Sequence, residues 1–257
     1  MTSIHTIQTE SMQGLNRDVI KYIAMVTMFL NHIANIFLEP GTLLFTILID
    51  IGYFTAPVMC YFLVEGYHYT RSRKRYAGRL ALFALISEIP FCLAFSEVYT
   101  GERIISFCGF NMILTLFLCF CILLVMDYVK DILLEILIIA GLFIMSLFSD
   151  WALVAPFFTV LFARAKDDKR SIRNAYLLGA ALFALMNFNP GGDAAGTLFS
   201  LIYALMSAVG ILAAGVAIVR LYNGKRMERG RTFSKWFFYW FYPVHLLILG
   251  IIRIFIR

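Results

Sequence analysis

The chain has 257 residues, of which 61% are hydrophobic and 15% are charged, and its net charge is +6. A soluble globular protein is about half apolar and about a quarter charged, so this chain has too little polar surface for a water-soluble fold. Its 25 Phe and 13 Tyr residues need a packed core or lipid, which excludes a disordered chain. The excess of basic residues gives no support for binding nucleic acid. The composition predicts a membrane protein in contact with the lipid bilayer.

Apolar segments divide the chain into nine predicted membrane-spanning helices, of which the fifth to seventh are short. A helix needs about 20 apolar residues to cross a bilayer, and long continuous apolar segments favour a helical bundle over a β-barrel. The predicted spans are 18–38, 43–66, 77–95, 107–126, 132–148, 150–163, 174–188, 197–219 and 236–256. We therefore predict an all-α, polytopic integral membrane protein, with a polar tail at 1–16 and one transmembrane domain at 17–257.

The basic residues predict the orientation of these spans, because Lys and Arg concentrate in cytoplasmic loops. A cytoplasmic N-terminus places 19 of the 22 basic residues on the cytoplasmic side and leaves Arg103, Arg253 and Arg257 outside. Removing one span from the middle would move at least one basic cluster to the wrong side. The sequence thus predicts nine spans with an external C-terminus.

Ionisable side chains within a span cost at least about 2.5 kcal/mol each, so they tend to face the bundle interior and to mark a site or a pathway. The first predicted span contains Asn31, His32 and Asn35, and the third contains Glu88. The second contains Asp50, near the external side, and Pro57, which we expect to kink the helix.

His32, Asp50 and Glu88 lie at similar predicted depths, about 10 Å below the external surface at a rise of 1.5 Å per residue. A histidine beside carboxylates is suited to act as a general base on an amine or a hydroxyl group. Among the four histidines, His32 has the most polar neighbours, and we expect Glu88 or Asp50 to orient it. An interhelical hydrogen-bond cluster or a proton relay without catalysis is the alternative.

A second group of polar residues lies near the cytoplasmic end of the second and third spans. Glu65 and His68 are three residues apart and precede a run of basic residues. They are candidates either for binding a substrate or for an ion-pair network at the headgroup level. Arg71, Arg75 and Arg79 are spaced four apart, which predicts one helical face that could bind phosphate groups.

Several segments in order along the chain resemble the TraX family, membrane proteins named for the conjugation protein that acetylates the N-terminus of F-type pilin. The specific part is 62–70 (FLVEGYHYT) together with 79–91. Further matching segments are 21–32, Ala56-Pro57, Asn111 with Thr115-Leu116, Ser149-Asp150-Trp151, and 235–246 with Tyr242-Pro243-Val244-His245. These segments add Asn111, Asp150 and His245 to the candidate substrate-binding residues, which also include Asn31 and Asn35.

The resemblance implies an acyltransferase of the bacterial cytoplasmic membrane. It would transfer an acetyl group from cytoplasmic acetyl-CoA, without a metal, to a peptide N-terminal amine or to an envelope hydroxyl or amine. The family usually has Asp-His in the first span, where this chain has Asn31-His32. A carboxylate partner for His32 would therefore come from Asp50 or Glu88.

Two other functions are compatible with the same residues. Buried histidines and carboxylates also serve proton-coupled transporters. A non-enzymatic membrane accessory protein for a secreted peptide is the other alternative. Neither the acceptor, the acyl chain length nor the oligomeric state follows from the sequence.

Overall fold

The computed structural model describes residues 14–191 and 193–256, and all named elements in this part of the chain are helices. The helices are α1 (Arg17–Phe37), α2 (Leu43–Gly52), α3 (Thr55–Tyr69), α4 (Arg73–Thr100), α5 (Met112–Tyr128), α6 (Ile132–Ser146), α7 (Val154–Ala165), α8 (Lys169–Asn187), α9 (Ala194–Val216) and α10 (Arg231–Ile256), with a π-helical turn (Ala217–Leu221) after α9. The all-α prediction is confirmed. Residues 1–13 of the predicted polar tail, and Arg257, lie outside the described residues.

Each of the nine predicted spans coincides with helix, but the helices differ in length. In the described part of the chain, five segments are long and apolar enough to cross a membrane: Arg17–Phe37, Leu43–Tyr69, Arg73–Thr100, Ala195–Leu221 and Arg231–Ile256. The apolar helices α5, α6 and α7 are shorter, with 17, 15 and 12 residues. Large apolar side chains are exposed on the outside of the bundle, as lipid contact requires; examples are Leu85 and Phe199.

The second predicted span is two helices, and the break lies one turn before Pro57, where a proline is expected to disrupt a helix. A turn at Tyr53 and Phe54 separates α2 from α3. Pro57 lies in the first turn of α3, where its missing N–H would have had no intrahelical partner. The interruption predicted at Pro57 is therefore present, as a full break between α2 and α3.

The first, third, fourth and tenth helices surround the interior of the bundle. The helix α10 packs along α4, and α1 contacts α2, α3, α4 and α10. On the other side, α8 packs along α9 and α7, and α7 packs against α3 and α5. The first and last helices of the chain are thereby brought together.

A turn with strained backbone connects α6 to α7. Trp151 has a φ angle of 57° and Leu153 a φ angle of 59°, a conformation that is uncommon for residues other than glycine. The Trp151 ring stacks on Phe183 at 5.6 Å between ring centroids and meets Tyr53 edge-on at 5.9 Å. These ring contacts hold the turn against α8 and the α2–α3 break.

Arg253 is a buried cation that ties α10 to the far end of α4. Its guanidinium forms an ion pair with Glu97 at 2.7 Å and donates to the carbonyl oxygens of Leu93 and Ile104 at 3.0 and 2.9 Å. The side chain is fully buried. It thereby also attaches the loop between α4 and α5.

Replacing Arg253 by Leu should lower the free energy of unfolding by about 2 kcal/mol or more, because the carbonyl oxygens of Leu93 and Ile104 lose a buried donor and the ion pair with Glu97 is broken. Thermal unfolding of the purified protein in detergent measures the effect. Arg103→Leu, at an exposed position in the same loop, is the control and should change the melting temperature little. Equal effects of the two substitutions would contradict a structural role for the Arg253 ion pair.

Candidate active site

A cavity of about 710 Å³ lies inside the bundle between α1, α3, α4 and α10. Its volume is within the range of about 300–1,000 Å³ that is usual for small-molecule sites. Along α1 its wall extends from Arg17 to Asn35, about 27 Å of helix at 1.5 Å per residue. The cavity therefore extends over most of the length of a membrane-spanning helix.

The two ends of the cavity differ in charge. One end, called the basic end here, is lined by seven basic residues, Arg17, Lys21, Arg71, Arg79, Arg226, Arg231 and Lys235. The opposite end is lined by Asn35, Tyr99, Asp150 and Trp151. His32 lies on the wall between the two ends.

His32 is paired with a second histidine from the last helix. Its Nδ1 atom lies 2.8 Å from Nε2 of His245. The ring of Phe95 packs edge-on against His32 at 5.3 Å, and Tyr242 lies at 6.3 Å. Both histidines are buried, and only His32 is part of the cavity wall.

The hydrogen bonds determine which nitrogen atoms carry protons when both rings are neutral. His245 Nδ1 lies 2.6 Å from the carbonyl oxygen of Phe241, which can only accept, so this nitrogen carries the proton. His245 Nε2 must then accept, and His32 Nδ1 donates to it. His32 Nε2 is consequently left with a free lone pair, which is the form of a histidine that acts as a base.

Asn31 and Asn35 lie beside His32 on the cavity wall, as predicted. Asn35 Nδ2 donates to both oxygen atoms of Asn31 at 3.0 Å, and Asn31 Nδ2 donates to the carbonyl oxygen of Ile49. The last contact requires α2 to approach α1 closely, and a Cβ atom at Gly52 would collide with the Asn31 side chain. The Asn31 amide therefore holds α1 and α2 together next to His32, and Asn35 holds Asn31 in place.

Glu88 does not orient His32, contrary to the prediction. Its Oε2 atom accepts from Asn111 Nδ2 at 2.6 Å and from the Asn111 backbone N–H at 3.3 Å. The Asn111 side chain in turn caps the first N–H groups of α5. Neither residue lines the cavity, so this pair holds the start of α5 against α4.

Asp50 is also separate from His32. Its carboxylate is buried and has no hydrogen-bond partner in the described part of the chain. The backbone carbonyl of Asp50 lies directly beside Gly210 of α9, and Asp50 is absent from the cavity wall. The helices therefore present these three residues to different neighbours.

The candidates near the basic end divide into structural and cavity-lining residues. Glu65 accepts from Tyr222 at 2.6 Å and forms an ion pair with Arg17 at 3.3 Å, which matches the ion-pair alternative. His68 is exposed and does not line the cavity.

The three predicted arginines do not share one helical face. Because Ser72 caps α4, Arg71 precedes the helix, while Arg75 and Arg79 are within it. Arg71 and Arg79 line the cavity and Arg75 does not. The Arg79 guanidinium lies 5.5 Å from the centre of the Tyr76 ring.

Arg226, Arg231 and Lys235 line the basic end and were not among the predicted site residues. In the sequence they belong to a basic cluster at 220–235, which was interpreted mainly as a topology signal, with recognition of a phosphorylated cytoplasmic donor as the general alternative for the basic loops. The role of His245 as the partner of His32 was also missed. The sequence had marked His245 only as a candidate substrate-binding residue, through the segment that resembles TraX proteins.

Asp150 lines the end of the cavity opposite to the basic end. Its carbonyl oxygen accepts from Thr115 at 2.6 Å, and its N–H donates to the carbonyl oxygen of Phe110 at 2.8 Å. These bonds fix the turn that also carries Trp151. Asp150 and Trp151 additionally line a second cavity of about 600 Å³ next to the loop between α4 and α5.

Comparison with known proteins gives one family and one curated relative. The family described as TraX protein matches residues 16–253. The chain is 30% identical over 245 residues to the probable fimbrial assembly protein FimC, serogroup H1, of Dichelobacter nodosus, covering 93% of this chain and 96% of the relative. No solved structure matches. Because several of its segments resemble TraX proteins and the family match covers almost its whole length, the chain belongs to the TraX family.

Proposed function

We propose that the protein is a membrane-embedded acyltransferase that takes an acetyl group from cytoplasmic acetyl-CoA. The observation that carries this proposal is the continuous cavity between the basic end and the His32–His245 pair. A donor with several phosphate groups and a long thioester arm needs cations at one end of its site and a base at the other. The cavity provides the cations at its basic end and His32 further along the same wall.

The donor would place its phosphate groups at the basic end and its thioester next to His32. His32 is about 16 Å along α1 from Lys21 at 1.5 Å per residue. An extended pantetheine arm spans a distance of this order. The apolar residues Met25, Met28 and Leu63 line the stretch between the two ends and suit the arm.

The chemistry would be general-base catalysis. His32 Nε2 removes the proton from the acceptor amine or hydroxyl while that group attacks the thioester carbonyl, and the CoA thiolate then leaves. The resulting positive charge on His32 is stabilised by His245, whose Nε2 accepts from His32 Nδ1 and whose Nδ1 is held by Phe241. His245 thus acts as a positioning residue, the part that the sequence had assigned to Glu88 or Asp50.

The acceptor would reach His32 from the end of the cavity lined by Asn35 and Asp150. The name of the D. nodosus relative, a probable fimbrial assembly protein, supports an acceptor among the subunits of a surface fibre. We further propose that the chain crosses the bacterial cytoplasmic membrane nine times with its N-terminus inside. In this arrangement the basic end is cytoplasmic and the Asp150 end is external.

A proton-coupled transporter is the second candidate function. The buried, unpartnered carboxylate of Asp50 favours it, since such groups often carry protons across membranes. Saturable binding of acetyl-CoA to the purified protein, followed by release of the acetyl group that depends on His32, would separate acetyl transfer from transport and from a purely accessory role.

The His32→Ala substitution should reduce acetyl transfer by about 10²-fold or more, because it removes the base. Mass spectrometry of membrane and envelope fractions, with and without the protein, detects the acetyl-sized mass shift on the acceptor. His245→Ala should reduce transfer less than His32→Ala, since the base remains but loses its fixed orientation.

His68→Ala is the matched control, because His68 is exposed and outside the cavity. It should leave transfer unchanged, and all three variants should insert into the membrane in normal amounts. Full activity of His32→Ala would assign the histidine pair to structure and refute this mechanism.

Donor binding should depend on the arginine that faces the cavity and not on its neighbour. Arg79→Gln should weaken acetyl-CoA binding by about 10-fold, since a charge-assisted contact to phosphate is lost. Arg75→Gln removes the same charge one helical turn away and should have little effect. Binding to the purified variants by calorimetry decides this, and equal affinities of wild type and Arg79→Gln would contradict the placement of the phosphates.

The nine-span topology predicts the side on which reporter fusions lie. Fusions after Arg75, Lys169 and Arg229 should be cytoplasmic, and fusions at Thr100, Gly192 and Arg257 should be external. Alkaline phosphatase and fluorescent-protein reporters, which are active on opposite sides, measure this. A cytoplasmic C-terminus would remove one span, and the short helices α5, α6 and α7 are the candidates.

A further inference from the structure

The segment 222–230, which joins the π-helical turn to α10, crosses the basic end of the cavity and is called the strap here. It is attached to the residues that precede and begin α1. Leu15 N–H donates to the Leu221 carbonyl at 2.7 Å, and Asn223 N–H donates back to the Leu15 carbonyl at 3.0 Å. Arg17 N–H donates to the Lys225 carbonyl at 2.9 Å. The strap therefore has a defined path.

Two side chains strengthen this attachment. Asp18 accepts from the Met227 N–H at 2.9 Å and from Ser234 of α10 at 3.0 Å. At Gly14 the two backbones are so close that a Cβ atom would lie 2.5 Å from the Leu221 carbonyl oxygen. Only glycine fits at this position without a shift of the strap.

The attachment of the strap selects which of its basic residues face the cavity. Arg226, on the strap, and Arg231, at the start of α10, line the cavity, whereas Lys225 and Arg229 do not. Arg231 Nε donates to the Met227 carbonyl at 2.8 Å, which leaves the rest of its guanidinium available. In the described part of the chain neither arginine has a carboxylate within ion-pair distance.

The charge around this opening is unbalanced. Lys21, Arg79 and Lys235 line the same end of the cavity and also lack a carboxylate at ion-pair distance among the described residues. Several like charges around one opening repel each other and attract a ligand of opposite charge. Guanidinium groups in particular bind phosphate oxygens in a bidentate manner.

We propose that the strap and the start of α10 form a phosphate clamp, in which Arg226 of the strap and Arg231 of α10 bind the phosphate groups at the nucleotide end of the donor. The inference rests on the proposed acetyl transfer and adds the element that holds the donor. The hydrogen bonds to residues 14–18 position the clamp, so the start of the chain contributes to donor binding without touching the donor.

The test is the affinity of CoA for the full-length protein in nanodiscs of neutral phosphatidylcholine. The double variant Arg226→Gln/Arg231→Gln should bind CoA about 10-fold or more weakly than the wild type. The matched control, Lys225→Gln/Arg229→Gln, removes the same number of charges from the same region but outside the cavity, and should bind CoA within about twofold of the wild type.

Two further measurements separate contact from general effects. Pantetheine, which lacks the phosphate groups, should bind equally weakly to the wild type and to both double variants. Gly14→Ala removes no charge but forces the strap away from α1, and it should also weaken CoA binding. A normal melting temperature of each variant shows that the bundle is intact.

Equal losses of affinity in the two double variants would overturn the clamp in favour of a general electrostatic effect. Unchanged CoA binding in Arg226→Gln/Arg231→Gln would overturn the clamp while leaving the proposed acetyl transfer in place. Absence of CoA binding to the wild type would overturn both. If anionic lipid in the nanodiscs abolished the difference between wild type and variant, these arginines would instead bind lipid headgroup phosphates, and the donor clamp would be wrong.

Discussion

The hydrogen bond between His32 and His245 joins the first and last helices, and the site depends on it. The two residues are separated by 213 positions in the chain, yet their ring nitrogens are 2.8 Å apart. Contacts of Asp18 and Tyr22 with Ser234 join the same two helices near the basic end. Together these contacts close the wall between α1 and α10, so the cavity is bounded by the same helices that carry the base and its partner.

Burial of polar groups in a membrane protein is costly, and most of those in this bundle have structural partners. Glu88 accepts a hydrogen bond from Asn111, Arg253 forms an ion pair with Glu97, and Arg17 forms one with Glu65. Asp127 likewise accepts from Tyr67 and pairs with Arg73. The cavity wall itself carries His32, which is hydrogen-bonded to His245, and cations such as Lys21 and Arg79 that have no carboxylate at ion-pair distance among the described residues. This separation is the physical reason for placing the chemistry in the cavity.

In the proposed function, the strap links donor binding to the assembly of the bundle. Arg226 of the strap lines the cavity, and residues 14–18, which hold the strap backbone, also begin α1, which carries His32. A displacement of the strap would therefore act on the wall that contains the base. Binding of the donor and the position of the proposed base are thus mechanically connected through one helix.

The sequence by itself determined the class of protein, the positions of the helices and the residues worth examining. Apolar segment length and basic loops are local properties, and so they located the helical segments, although the span predicted at 43–66 is two helices, and they placed Asn35 near His32 on one helix. The constant rise per residue also allowed the depth of each residue along its helix to be predicted. Asp50, Glu88 and His32 were accordingly predicted at one level.

The tertiary structure alone decided which of these groups meet. Contact between helices depends on their rotation and tilt, which follow from packing of small and large side chains over the whole bundle and have no local signature. Rotation turns Glu88 towards Asn111 and leaves Asp50 beside Gly210, while His245, 213 residues away in the chain, meets His32. For the same reason the basic cluster at 220–235 was interpreted from the sequence mainly as a topology signal. Only the folded strap and the start of α10 place Arg226 and Arg231 at the cavity and leave Lys225 and Arg229 outside it.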